Sequence, residues 1–364
     1  MKKKVLLILL LLPLLSGCWD ELYFKDLQIV TLVGIGGEKG DVTVHYSFPS
    51  VSGGNGVEYL TAKASGSSFS DARNNMNLKT GKVLDISQLQ VLLLSDKSAE
   101  ANIFDYLDSL YRTPRNRLSS HVALVKGELD AYMGNGKNEN SGKTQDTPEF
   151  LTQLMDTIKE YSLSTDYNVQ DMGSIMFAQG QDLALPLLKM SEESGQPELD
   201  GTALFNDFTY TGKSLDITES KMLNILQHNT GKFLRDTYIF EVQGREVPVT
   251  YEFIRSRKNW DIGETSITIR ETIHVEIDEY SVTPVIGKGE FAELEKKLSA
   301  AIENDMQKTV ESMQEAKSDA IGIGRRVRAF HHNLWEKGDW HDTFSELDIQ
   351  VKVKVKVERT GILD

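Results

Sequence analysis

Few side chains in this chain are spaced for chemistry, and each can be set against the reaction it would run. The only thiol is Cys18, which excludes an internal disulfide and any Cys-rich zinc or iron–sulfur site. Gly142-Lys143-Thr144 has the ending of a phosphate-binding loop. The spacing fails, because the first glycine should fall where Lys137 stands, and Asp146 and Pro148 follow where an apolar helix should start. Gly34-Ile35-Gly36-Gly37 lacks the third glycine of a dinucleotide fingerprint and opens no helix, so it reads as a turn. His331, His332 and His341 are the candidate metal ligands. Adjacent histidines leave a helix on different sides and no carboxylate recurs at ligand spacing, so solvated or capping roles are expected of them. No Gly-x-Ser-x-Gly elbow is present. Acidic pairs such as Asp261 with Glu264 are plentiful, and none stands out as a general acid. Trp335 and Trp340 read as closing a helix end over a core rather than as a platform for a sugar. The expectation is no catalytic residue, no metal and no cofactor.

Cys18 remains, and its surroundings give it a task. Lys2, Lys3 and Lys4 precede an apolar run from Val5 to Leu15 interrupted only by Pro13. That run is shorter than the ~20 residues of a spanning helix and suits a secretory signal, whose apolar region holds roughly 7–15. Leu15-Ser16-Gly17-Cys18 then resembles the lipobox of bacterial lipoproteins. There the cysteine sulfur takes a diacylglyceryl group and the chain is cleaved ahead of it. Two or three acyl chains, at about 0.8 kcal/mol per buried methylene, anchor a protein durably. Cys18 is therefore the predicted lipid anchor, and residues 1–17 the signal peptide.

The remaining composition fits an extracytoplasmic body. With 40 Lys plus Arg against 54 Asp plus Glu, the formal charge of the 364 residues is −14. Nucleic acid and anionic lipid both select clustered cations, so neither is expected as the main partner surface. Apolar residues at 40% and charged residues at 26% are normal for packed domains.

The elements that must carry these residues follow from periodicity. Strands are predicted over Leu27 to Val33, Val42 to Phe48, Val83 to Leu94 and Val122 to Val125. Phe69, Ala72 and Met76 mark a helix capped by Ser68 or Ser70, and Ile103 to Tyr111 a helix that Pro114 ends. The polar stretch Gly134 to Thr147 reads as an exposed linker. Helices over Pro148 to Ser162 and Val169 to Ala178, then a strand over Leu183 to Met190, complete a middle piece. Thr202 to Phe205 is a strand and Thr218 to His228 a helix. Three long strands follow over Thr237 to Val242, Val247 to Arg255 and Ser266 to Ile277. A long helix starts near Phe291, its stripe from Leu294 to Met313 continuing over Ala320 to Leu334 across Gly322 and Gly324. Val351, Val353, Val355 and Val357 alternate with three lysines, which predicts a strand with one buried and one cationic face. These elements predict a mixed α/β (α+β) ectodomain of small, mostly antiparallel sheets flanked by helices, with the long C-terminal helix packed on a sheet. The predicted division is 18–133, 134–200 and 201–364.

Three stretches resemble a known family. Gly201-Thr202-Ala203-Leu204-Phe205, with Gly212-Lys213-Ser214-Leu215 and Glu219-Ser220, is similar to the opening of the C-terminal domain of the Ger(x)C family. Asp319-Ala320-Ile321-Gly322-Ile323-Gly324, then Trp335, Trp340 and Phe344, then Val351 to Val357 and Gly361, resembles its tail, and Cys18-Trp19-Asp20 its mature N-terminus. Where the family usually carries a histidine, this chain has Ser87-Gln88-Leu89-Gln90. The resemblance implies a lipoprotein subunit of a spore nutrient germinant receptor, without catalytic centre. It would sit on the outer face of the spore inner membrane beside two integral-membrane receptor subunits. The runner-up class, a solute-binding lipoprotein of an importer, would need two similar lobes, and no repeated β-α unit of that size is present. Small-molecule binding is not expected of this subunit.

Overall fold

Glycine decides the first strand pair. In the computed structural model, which describes residues 24–50, 58–134, 147–242, 244–281 and 288–359, the strand β2 (Leu32–Glu38) runs through Gly34, Gly36 and Gly37 instead of ending there. The expected turn is thereby corrected to strand. A Cβ on Gly34 or Gly36 would stand 3.0 or 2.8 Å from the Leu129 methyls, so the glycines admit a close helix approach. The short β1 (Leu27–Ile29) precedes it, and β3 (Asp41–Ser50) returns antiparallel across a turn at Lys39 and Gly40. Next comes β4 (Glu58–Gly66), a strand the sequence concealed because small and polar residues dominate it.

Caps then set the helices. Ser68 accepts the Asp71 amide to open α1 (Phe69–Thr80), and Gly81 closes it in the left-handed region. The predicted single strand over Val83 to Leu94 is two, β5 (Val83–Asp85) and β6 (Val91–Ser95). They are split where the Asp85 carboxylate accepts the Ser87 amide. After them come α2 (Asp96–Ala99), α3 (Phe104–Arg112), β7 (His121–Val125) and α4 (Leu129–Tyr132). The chain resumes with α5 (Thr147–Glu160), α6 (Val169–Met176), β8 (Ala184–Met190), β9 (Pro197–Asn206) and β10 (Thr209–Leu215). The linker expected over 134–147 lies mostly outside the described residues.

Strands β10-β9-β8-β7-β6-β2-β3-β4 form one eight-stranded mixed sheet. Its central strands are parallel and buried on both faces, which is why Val91 to Leu94 and Val122 to Val125 are continuous apolar runs. Val33, Leu92 and Leu124 face α1, α3 and α6. Leu32, Leu93 and Val125 face α5, whose Leu151, Met155 and Ile158 are buried. The predicted boundaries at 133/134 and 200/201 both fall within this sheet: β7 pairs in parallel with β8 across the first, and β9 runs through the second.

The C-terminal part adds α7 (Ile217–Gln227), β11 (Arg235–Val242), β12 (Arg245–Ile262), β13 (Ser266–Tyr280) and α8 (Lys288–Glu315). Then come α9 (Ile323–Phe330), α10 (His332–Trp335), α11 (Trp340–Glu346) and β14 (Asp348–Arg359). Strands β11-β12-β13-β14 form a second sheet, with β14 parallel to β13 at its edge. Leu298, Ile302, Met306, Val310 and Met313 of α8 are buried with Val351 and Val355 in one core. The helix also closes the sheet edge. Backbone N–H groups of Val351, Val353, Val355 and Val357 donate to Gln307, Glu303, Ser299 and Glu295, at 2.9–3.0 Å. Four residues per step on the helix match two per step on the strand, about 6 Å against about 6.6 Å. The mixed α+β class and the helix on its sheet are as expected. The stripe is not one helix, however: the chain turns after Glu315, with Lys317 and Gly322 at positive φ.

Candidate functional site

That turn brings together the residues of the Asp319 to Gly324 stretch. Asp319 is fully buried. Its Oδ1 accepts the amides of Gly322 and Ile323, each at 2.9 Å. Its Oδ2 accepts the Gly324 amide at 2.6 Å and the indole Nε1 of Trp340 at 2.9 Å. One carboxylate thus opens α9 and pins α11. Burial pushes its pKa up to about 6, against the downward pull of these donors. With four donors on two oxygens, no lone pair is left to take a proton from a substrate.

Asp182, just before β8, extends the node to the large sheet. Its Oδ2 accepts the Asp319 amide at 2.6 Å, and its Oδ1 accepts the Asp207 amide and His341 Nε2, each at 2.9 Å. The Asp182 amide donates back to the Asp319 carbonyl at 3.0 Å, and the Arg325 amide to the Gly180 carbonyl at 2.8 Å. Backbones meet so closely here that a Cβ on Gly180 would lie 2.5 Å from the Gly324 carbonyl carbon, and one on Gly324 would lie 2.4 Å from Trp340 Nε1. The bond to Asp182 raises the His341 pKa to about 9, so the imidazole is a cation at neutral pH.

The predicted site residues scatter. Cys18 and Gly142-Lys143-Thr144 lie outside the described residues. His331 closes α9, and His332 is exposed, 3.0 Å from Glu336. His341 joins neither. It stands with Asp182 and Asp207, whose ligand-type atoms lie within 4.8 Å of one another. The nitrogen that a metal would need is the one donating to Asp182, so the trio is an ion pair already made. Asp261 pairs with Arg270. Trp335 and Trp340 stack at 5.5 Å over Phe344, closing the core as expected. Around them opens a cleft of about 550 Å³, lined also by Phe177, Phe208 and Asp339.

Sequence reasoning missed the two carboxylates. Asp319 lies in the stretch that resembles the family's tail, and its signal is an acidic side chain three residues ahead of a glycine that starts a helix. Asp182 had no local signal at all. Also missed was the buried Glu271, 3.4 Å from His228 Nε2 and opposite the half-buried Lys258 in the register of β12 and β13. Burial pushes the carboxyl up and the ammonium down.

Among the described residues the fold is mixed α+β, with eight-, four- and two-stranded sheets, and Asp319 and Asp182 accept main-chain, indole and imidazole donors. The profile for "Spore germination protein N-terminal domain" matches residues 20–190, and that for "Spore germination B3/ GerAC like, C-terminal" residues 200–361. The chain belongs to the Ger(x)C family of spore germination proteins. Spore germination protein GerQC of Bacillus cereus is 24% identical over 371 residues, covering all of both chains. Spore germination protein KC of Bacillus subtilis (strain 168) is 22% identical over 99% of this chain and 97% of its own. The crystal structure of the GerBC protein superposes with a TM-score of 0.54 at 17% identity, covering 90% of this chain and 97% of that one. It shares the fold.

Proposed function

We propose that this chain is the lipid-anchored, non-catalytic subunit of a nutrient germinant receptor. It is held through acylated Cys18 on the outer face of the spore inner membrane. There it serves nutrient-triggered germination by contact with two integral-membrane receptor subunits. The observation that carries this reading is the match of both spore germination profiles, in order, along one chain. The site adds support, since Asp319 and Asp182 spend their acceptors on main-chain, indole and imidazole donors. Among the described residues no helix is long and apolar enough to cross a membrane; the anchor proposed is Cys18, on the lipobox-like Leu15-Ser16-Gly17-Cys18.

The test is a metabolic fatty-acid label combined with Cys18→Ala. Wild type takes the label and fractionates with membranes, and the Ala variant loses both. Label retained on the variant overturns the anchor. Detergent-solubilised full-length chain co-purifies with two polytopic subunits; recovery without them overturns the receptor assignment.

A further inference from the structure

A second cleft, of about 730 Å³, opens between α6, α7, the outer part of β12 and α9. Its charges do not balance. Of the lining carboxylates, Asp166 is held by Lys159 at 3.1 Å and by Asn229 at 2.9 Å. Asp171 is spent on the capping box that opens α6. Lys258 Nζ donates to the Leu226 carbonyl, and Glu271 stands opposite it in the strand register. Arg325 and Arg326 remain, and neither makes an ion pair among the described residues, in a chain of charge −14.

Both guanidiniums are already positioned. Arg325 Nη1 donates to Gln181 Oε1 at 2.9 Å, which leaves the rest of its fork open. Arg326 lies 6.0 Å from the Trp260 ring and 5.5 Å from the Phe330 ring, and Lys258 Nζ lies 4.9 Å from Trp260. Phe330 is 72% exposed, an apolar wall at the edge of the cleft. Stacked guanidiniums recognise phosphate and carboxylate through paired N–H groups. Two of them beside an ammonium match an anion with three acceptor oxygens and up to two charges better than a carboxylate.

We propose that this cleft binds a phosphate group borne on an apolar or aromatic body. Arg325 and Arg326 hold the oxyanion, and the apolar part lies on Trp260 and Phe330. Such a group reaches the cleft either as a soluble phosphate ester or as a phospholipid headgroup, and the site stands whether or not Cys18 is the anchor. The full-length protein is modified with the arginine reagent phenylglyoxal and read by mass spectrometry. Arg328, on the same helix but outside this lining, is the internal control. Phenyl phosphate at constant ionic strength is the soluble probe. In the second arm the protein is reconstituted in phosphatidylcholine vesicles with or without phosphatidylglycerol.

Protection of Arg325 and Arg326 by at least tenfold with phenyl phosphate, Arg328 unchanged, assigns a soluble ester. Protection only with phosphatidylglycerol assigns the headgroup. Arg325→Gln abolishes protection of Arg326 in whichever arm showed it, and Arg325→Lys, which keeps the charge without the fork, retains part of it. No protection in either arm, equal protection of Arg328, or full protection in Arg325→Gln overturns the site.

Discussion

Replacing Asp319 with Ala tests whether the buried carboxylate holds the molecule together. The side chain satisfies four donors, the amides of Gly322, Ile323 and Gly324 and the Trp340 indole. Each buried donor left unmade costs about 1–3 kcal/mol. Water enters part of the space left behind, so the low end of the sum applies, about 4 kcal/mol. Domains are stable by only about 5–15 kcal/mol. For a part of roughly 150–250 residues a 1 kcal/mol loss moves Tm by about 2–4 °C, so Asp319→Ala should lower Tm by about 8–16 °C. Asp319→Asn keeps one acceptor oxygen and turns an NH2 toward the other pair of donors. It also removes a charge that burial disfavours, so about half the loss is expected. The assay is thermal and urea melts of the full-length protein followed by tryptophan fluorescence, which reports Trp340 directly. An Asp319→Ala shift no larger than that of Lys354→Glu, on the solvated face of β14, would refute the argument, because the four donors would then have found other partners at no cost.

His341 gives a pH dependence. Its folded pKa is raised to about 9 from 6.5 by Asp182, so its stabilisation is full below pH 6.5 and is lost as pH rises through 9. At 1.36 kcal/mol per unit the ceiling is about 3 kcal/mol; urea midpoints should fall across that window in wild type and stay flat in His341→Gln. Leu298→Ala, in the α8 core, should cost roughly 2–5 kcal/mol and Lys354→Glu under about 1, and equal small shifts in thermal melts would mean that α8 is not packed as described. Ser299→Ala and Glu303→Ala each free one amide of β14, so hydrogen exchange should accelerate at Val355 and Val353 respectively while β13 stays protected; uniform exchange along β14 in both variants would deny the edge closure.

How much of this was legible depended on whether the determining contact is local. The helix stripe from Leu294 to Met313, the Val351 to Val357 alternation and the Ser68 cap are set by residues a few positions apart, and the structure keeps them. β4 and β10 went unseen because Glu58–Gly66 and Thr209–Leu215 are mostly polar or small and become strands only by pairing with β3 and β9. The stripe past Glu315 misled for a related reason. Ala320, Ile323 and Val327 are buried at helical spacing, but Asp319 had to turn the chain to receive its four donors. Gly34 and Gly36 read as a turn because the demand for glycine comes from Leu129, almost a hundred residues away.

The site shows the same division more sharply, and it explains why motif spacing found nothing. Asp182 and Asp319 are 137 positions apart, and neither belongs to a chemical signature. What joins them is the need to satisfy the amide of Asp319 and the start of α9 where the large sheet meets the C-terminal core. A carboxylate, with two oxygens and about four lone-pair sites, can accept from more main-chain N–H groups at once than any other side chain. Placing it there also fixes Gly180 and Gly324, since no Cβ fits between backbones that close. The Asp-Ala-Ile-Gly-Ile-Gly stretch that resembles the family's tail is therefore what remains in the sequence of a junction between two sheets. By the same reasoning, Arg325, whose amide joins the junction through the Gly180 carbonyl, and Arg326 beside it are carried on a rigid platform, which is what the proposed oxyanion site requires.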